Sequence, residues 1–315
     1  MITLRSIPEL ASLSGPIVLA AGTFDGLHLG HQALLRHAIK EATRIGGTAV
    51  VMTFDRHPAA IVRPDQCPKL LTNQSSKLRI LEALGVPALL LLEFNESLAS
   101  LAPEDFIREI VSASKPLQEI CVGSQWSFGR GGAGNVTLLE SLGNQLGFGV
   151  SRISPVEVGG TQVSSTRIRA AIAAGEFADA DACLGRPFFL TGIVVPGAGL
   201  GSKIGFPTAN LAIDGMQLPP DGVYAVKVHH DGISTGGVMN LGFRPTVDAS
   251  GLVRTAEVHL FNWNENLVGQ ELSIEFVSYL RGEKKFPNLD GLITQIQQDC
   301  TNAKALLEKF VRVRG

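Results

Sequence analysis

Of the 315 residues only four are cysteine, Cys67, Cys121, Cys183 and Cys300. They are scattered, with no CxxC and no Cys/His cluster, so the sequence indicates neither a disulfide framework nor a zinc site. Each is expected as a small buried apolar side chain. An excess of either charge is missing too: 27 Lys and Arg face 29 Asp and Glu, a net charge of −2. With no basic cluster, the electrostatic footprint of a nucleic-acid binder is absent. Any anion handled here has to be gripped locally. Long apolar runs are also lacking; the most apolar stretch, Val86 to Leu92, is far too short to span a bilayer. The N-terminus shows no basic segment followed by a long apolar stretch, hence no secretory signal. No internal repeat, low-complexity tract or region polar enough for disorder is evident. The expectation is a soluble cytoplasmic protein without membrane or nucleic-acid partners, a monomer or weak homo-oligomer.

What is present fits that frame. Apolar residues make up 45% and charged residues 18% of the chain, and its length allows two domains with separate cores. From Ile17 to about Ile153 short apolar strands alternate with amphipathic helices. The strands are expected at 17–21, 48–54, 88–94, 119–123 and 149–153, the helices at 32–45, 75–84, 103–113 and 136–146. Continuous apolar strands in this alternation imply an α/β domain, a parallel sheet covered on both faces. Helices follow at 165–174 and 177–184. Near Gly185-Arg186-Pro187 the character changes. Short alternating segments at 188–195, 222–229, 237–241, 256–261 and 271–279 argue for an antiparallel barrel or sandwich. A helix closes the chain, roughly 289–311. The domains are therefore expected at 1–184 and 185–315.

The most informative stretch is Gly22-Thr23-Phe24-Asp25-Gly26-Leu27-His28-Leu29-Gly30-His31-Gln32, directly after the first apolar strand. It reads as a tight glycine turn and the first turn of a helix. His28 and His31, three apart, project from one face, and Gly30 lets a ligand approach the backbone. A helix N-terminus offers N–H groups and a positive dipole end, and two imidazoles add donors for a phosphate. In a parallel sheet this turn falls beyond the carboxyl ends of the strands, where ligands bind. The other glycine-rich run, Gly129 to Gly134, is a loose loop, and no GxxxxGK[ST] occurs.

His28-Leu29-Gly30-His31 resembles the HxGH signature of the nucleotidyltransferase superfamily. The longer stretch is similar to the FAD synthetase half of bacterial bifunctional riboflavin kinase/FMN adenylyltransferases. Further segments carry that resemblance along nearly the whole chain. Ser164-Ser165-Thr166-Arg167-Ile168-Arg169 is similar to the family's second phosphate-binding signature, although a Ser/Thr start also caps an ordinary helix. Val51-Met52-Thr53-Phe54-Asp55-Arg56-His57-Pro58 resembles its second strand and acceptor loop, where His57 is equally readable as a plain strand-end residue. Val122-Gly123-Ser124-Gln125-Trp126-Ser127-Phe128-Gly129 resembles its flavin-facing loop. The family usually has an acidic or amide residue before Phe or Tyr there; Gln125 keeps the amide and Trp126 offers a larger stacking face. In the second half, Gly205-Phe206-Pro207-Thr208-Ala209-Asn210 closely resembles the riboflavin kinase signature. Gly237 through Thr246 (GVMNLGFRPT) and Ala256-Glu257-Val258-His259-Leu260-Phe261 match that family as well. Leu200 and Ser202 stand where its loop commonly carries arginines.

The resemblance implies a Rossmann-like nucleotidyltransferase domain followed by a β-barrel kinase domain with a terminal helix. It implies phosphorylation of riboflavin to FMN, then adenylylation of FMN to FAD with release of pyrophosphate, using ATP and Mg2+. It assigns catalysis to His28, His31 and Glu257, the last as base toward the ribityl hydroxyl. Gly22, Phe24, Asp25, Gly30, His57 and Gln125 become ligand-binding residues of the first half. Ser165, Thr166 and Arg167, with Arg169 as the alternative arginine, become its triphosphate or pyrophosphate contacts. Gly197, Gly205, Pro207, Thr208, Asn210 and Asn240 become the ligand-binding residues of the second half, with Thr208 and Asn210 of the oxygen type magnesium accepts. Two other readings compete, a chain with only one working half and a flavin- or nucleotide-sensing binding protein. Product formed by either half separates them.

Overall fold

The computed structural model describes all residues except 198, 246–251 and 315. Thr246, the last residue of the GVMNLGFRPT segment, therefore lies outside the described residues. The chain divides into two compact units, Met1–Ile168 with Cys183–Gly185, and Arg169–Ala182 with Arg186–Gly315.

The first unit is built on β1 (Ile2–Leu4), β2 (Ile17–Ala21), β3 (Thr48–Phe54), β4 (Ala88–Leu92), β5 (Leu117–Gly123) and β6 (Gly149–Ile153). They form one sheet in the order β1-β4-β3-β2-β5-β6, every neighbouring pair parallel. β2 and β4 are buried along their whole length, as strands covered on both faces must be. Alternation divides their side chains between two cores. Ile17, Leu19, Val50, Met52 and Leu90 meet Phe106, Ile107, Ile110 and Leu139 on one face. Val18, Ala20, Ala49, Val51 and Leu89 meet Leu34, Leu35, Ala38 and Leu81 on the other. The covering helices are α1 (Leu29–Arg44), α2 (Gln74–Ala83), α3 (Pro103–Ala113) and α4 (Val136–Leu146). Their starts are locally encoded. Asn73 and Asn135 accept from the amides of Ser76 and Leu138, and Pro103 opens α3. Each fully buried leucine in these layers contributes on the order of 2 kcal/mol.

Two differences from the sequence expectation have plain causes. β1 is only three residues long, too short for a period to register, yet it pairs with β4 at the sheet edge. α1 begins at Leu29 because His28 itself is the cap, its Nδ1 accepting the His31 amide. Three cysteines are buried, but Cys67 is half-buried. The scattered positions also hide a convergence. His37 of α1 and Glu119 and Cys121 of β5 bring their ligating atoms within 4.8 Å of one another. Cys121 donates to Glu119 Oε1 at 3.6 Å, and burial pushes its thiol well up, so it stays protonated.

α5 (Ser165–Ala174) and α6 (Phe177–Leu184) carry the chain from the first unit into the second. Residues 169–182, expected with the first half, belong to the second unit, where Phe177 stacks on Phe276 at 4.9 Å. The second unit is a closed antiparallel barrel, resolving the choice the sequence left between barrel and sandwich. Its strands are β7 (Phe189–Val195), β8 (Ala209–Leu211), β9 (Gly222–His230), β10 (Ile233–Pro245), β11 (Leu252–Leu260) and β12 (Glu271–Arg281), in the order β7-β8-β11-β10-β9-β12. β8, at three residues, carries no alternation signal of its own. The terminal α7 (Leu289–Arg314) seats Cys300, Ala303 and Leu307 against Ala225 and Phe261 of the barrel.

Candidate active sites

In the first unit the loop after β2 turns back on itself. Phe24 (φ 50°), Gly26 (φ 82°) and Leu27 (φ 45°) all lie in the left-handed region, which side chains other than glycine rarely adopt. Such backbone persists only where its surroundings hold it. Asp25 supplies part of the hold: its buried carboxylate accepts from the Leu71 amide at 3.0 Å and the Thr72 amide at 3.2 Å. Asp25, expected to touch a ligand, thus turns its carboxylate into the protein.

The loop delivers His28 and His31 as a stacked pair, ring centroids 3.6 Å apart and 15° from parallel. A Cβ on Gly30 would meet the His28 ring at 3.1 Å, so glycine is what lets that ring lie over the helix start. His28 Nδ1 accepts the His31 amide at 3.3 Å, which makes Nε2 the donor nitrogen of this ring. His31 stands edge-on to Phe24 at 5.3 Å, and its own Nδ1 is sealed from solvent without a hydrogen-bond partner. Burial, then the neighbouring His28 and Lys77, hold His31 well below the ordinary histidine range, so it is neutral.

Gly22, Phe24, His28, Gly30 and His31 line a cavity of about 240 Å³. A second cavity, of about 720 Å³, is walled by the aromatic rings of Phe54, Phe94, Phe106 and Phe128 and by His57. Thr23, Gln125 and Trp126 line both, so the two cavities share a wall. Trp126 stacks on Phe128 at 4.5 Å and 17°. His57 Nδ1 accepts the Ala59 amide at 3.1 Å, and the residue lines the larger cavity.

The expected second phosphate signature is only partly brought to this place. Ser165 donates its hydroxyl to the Asp25 carbonyl at 3.0 Å, and Thr166 is exposed. The Arg167 guanidinium donates through Nη1 to the carbonyls of Val158 and Thr161, at 3.0 and 2.8 Å, across a short two-stranded ribbon. Neither Ser165, Thr166 nor Arg167 belongs to the lining of the histidine cavity; their neighbour Ser164 does, while its Oγ also caps α5 by accepting the Arg167 amide. Sequence reasoning quoted that serine within the motif without giving it a contact, and it missed Lys77. Lys77 reaches from α2 to donate to the Thr23 carbonyl at 3.1 Å. Burial lowers its pKa against the pull of Asp25 and Asp55.

In the second unit strand register does the gathering. Asn210 pairs with Glu257, and Asn240 pairs with Glu257 from the other side, which places the three side chains in one row across β8, β11 and β10. Thr208 Oγ1 donates to Glu257 Oε2 at 3.5 Å. Glu257, Asn240 and Thr208 line a cavity of about 310 Å³ beside Arg281 and Phe286. Gly197, Pro207, Thr208 and Asn210 line another, of about 220 Å³. Thr208 belongs to both. A Cβ on Gly197 would collide with the Asn210 amide, so only glycine fits beneath it. Gly205 (φ 86°) lines neither cavity and supplies the left-handed turn ahead of the Pro207 segment. Arg281 forks onto Asp299, Nε and Nη2 lying 3.0 and 2.6 Å from Oδ2; this buried pair on the cavity wall had no signal in the sequence.

Residues 11–167 match the FAD synthetase family and residues 184–307 the riboflavin kinase family. A bifunctional riboflavin kinase/FMN adenylyltransferase of Haemophilus influenzae is 35% identical over 288 residues, covering 91% of this chain and 93% of that protein. The protein of the same designation from Bacillus subtilis is 36% identical over 290 residues, covering 91% of each. Among solved structures, one described as a macrolide-efflux protein from Streptococcus pneumoniae superposes with a TM-score of 0.80 at 31% identity, covering 96% of this chain and 99% of that one. Among the described residues here, no helix is long and apolar enough to cross a membrane. On these matches, over both halves and in the same order, the chain belongs to the family of bifunctional riboflavin kinase/FMN adenylyltransferases.

Proposed function

We infer that this chain makes FMN from riboflavin and FAD from FMN, with ATP as co-substrate in both reactions. The observation that carries the second reaction is the wall shared by the two cavities of the first unit. An aromatic slot suited to a flavin ring meets a small cavity edged by a histidine pair, so an acceptor phosphate and a nucleotide phosphate come together at Thr23, Gln125 and Trp126. There a phosphate oxygen of FMN attacks the α-phosphorus of ATP. A new P–O bond forms, the α–β bridge breaks, and pyrophosphate leaves. No side-chain nucleophile is needed, so catalysis rests on positioning and on charge stabilisation. His28 and the neutral His31 act here as hydrogen-bond donors. Gly22, Phe24 and Gly30 let the nucleotide approach the backbone, and His57 and Gln125 hold the flavin side.

In the second unit Glu257 is the general base. It takes the proton of the ribityl hydroxyl as that oxygen attacks the γ-phosphorus and ADP departs. Thr208 and Asn210, hard oxygen donors beside a carboxylate, fit a magnesium ion, which would neutralise phosphate charge when bound. Asn240 and the backbone around Gly197, Gly205 and Pro207 hold the ligands. We assign FAD synthesis to the first unit and the kinase to the second. We further propose that the protein works in the cytoplasm as a monomer or weak oligomer.

The test is chromatography of products from riboflavin, ATP and Mg2+, beside His28→Ala and Glu257→Ala variants. Wild type should yield FMN and then FAD. His28→Ala should stop at FMN, and Glu257→Ala should make FAD only from supplied FMN. A wild-type chain that binds flavin yet forms neither product refutes the enzyme reading in favour of a flavin-binding protein.

A further inference from the structure

We propose that Lys77 is a positioning residue for adenylyl transfer, its ammonium fixing the peptide plane between Thr23 and Phe24 at the junction of the two cavities. The proposal rests on the adenylyltransferase reading of the first unit. Thr23 is one of the three residues that line both cavities. Its carbonyl is gripped by two donors at once, Lys77 Nζ at 3.1 Å and Thr53 Oγ1 at 3.0 Å. Thr53 is fully buried in β3, so this carbonyl is drawn toward the sheet. A trans peptide sets its C=O and N–H on opposite sides. The Phe24 N–H therefore points away from Lys77 and Thr53, and the two residues that share this peptide both line the histidine cavity. A backbone donor fixed there is the kind of group that stabilises charge developing on a phosphoryl oxygen, and it acts without reorganisation only if its peptide cannot rotate.

Two further observations favour a clamp on this peptide. Phe24 sits at φ 50°, a conformation that relaxes unless its neighbours hold it. And the clamp brings a cation, not merely a donor, to a place where the neighbouring His31 is neutral. Asp25 and Asp55 favour the charged form of Lys77 despite its burial. The lysine thus adds positive potential beside the transferred phosphate while its side chain stays on the protein side of the carbonyl.

The experiment follows FAD formation from FMN and ATP in the full chain, with FMN formation from riboflavin in the same preparation as internal reference. Lys77→Met should lower kcat for FAD formation by about 100-fold, with KM for FMN and ATP within about threefold of wild type. Its FMN formation should match wild type. Lys77→Arg should recover about tenfold of the loss, and Thr53→Val, which removes the neutral donor, should lower kcat by about tenfold. A Lys77→Met chain with wild-type kcat, or with its whole loss in KM, overturns the proposal. So does an equal loss of both activities without recovery in Lys77→Arg, which would mark Lys77 as needed for folding alone. A wild-type chain that makes no FAD sinks the adenylyltransferase reading itself, and the proposal with it.

Discussion

In the first unit the candidate residues stand on loops and helix starts that follow parallel strands, whereas in the second Asn210, Asn240 and Glu257 stand within the strands of a closed barrel. The two arrangements hold their side chains by different means. The histidine loop is bent through positive φ angles and kept there by Asp25 on the Leu71 and Thr72 amides and by donors on the Thr23 carbonyl. The Asn210–Glu257–Asn240 row needs no such clamps, because ladder pairing alone sets it. A loop site is therefore sensitive to residues that touch no ligand, and a barrel site to register. One residue of slip in β11 would send Glu257 to the opposite face.

That contrast can be broken at several points. Glu257→Gln should reduce FMN formation by about 1,000-fold and leave FAD synthesis from supplied FMN intact, as product chromatography would read. If both activities fell together, the two sites would not be separable. Asp299→Ala leaves the half-buried Arg281 guanidinium without its carboxylate partner and should destabilise the second unit by about 3 kcal/mol. Denaturant unfolding followed separately by kinase and synthetase activity should show only the kinase transition moving. His28→Ala should lower FAD formation by about 100-fold with the kinase rate unchanged. A smaller effect concerns His31. Its folded pKa lies below the ordinary histidine value, so as pH falls through about 6.5 the unfolded chain takes up a proton that the folded chain refuses. Its contribution to stability is intact above that pH and is lost below it. Wild type should lose more stability than His31→Gln between about pH 7.5 and 5.5, and equal losses would show that His31 does not titrate this way.

Much of the architecture was legible because the signals are local. β2 and β3 read correctly to the residue as apolar runs, β6 as the short segment after α4, and α3 and α4 as periodic stretches opened by Pro103 or a cap, α4 being closed by Gly147. The contiguous histidine motif was legible for the same reason. What stayed hidden depends on distance along the chain. Lys77 lies 54 positions from Thr23 on a helix of ordinary pattern, and no spacing marks it. Asp25 looked like a ligand contact because the turn it belongs to edges the histidine cavity, but which way a carboxylate points depends on the amides folded against it. The same holds for Arg167, whose guanidinium meets the carbonyls of Val158 and Thr161. β8 was missed because three residues cannot show alternation; its neighbours β7 and β11 make it a strand.

The shared wall of Thr23, Gln125 and Trp126 has a consequence for turnover. On the proposed reading each substrate enters one cavity and loses its freedom separately, but a dinucleotide with a flavin at one end and an adenylate at the other occupies both in a single event. Its two halves are then tethered, and when either lifts off the other keeps it at high local concentration. The product should therefore bind more tightly than either substrate and compete with both. Its departure, rather than the bond-making that precedes it, is expected to set the pace of the first unit.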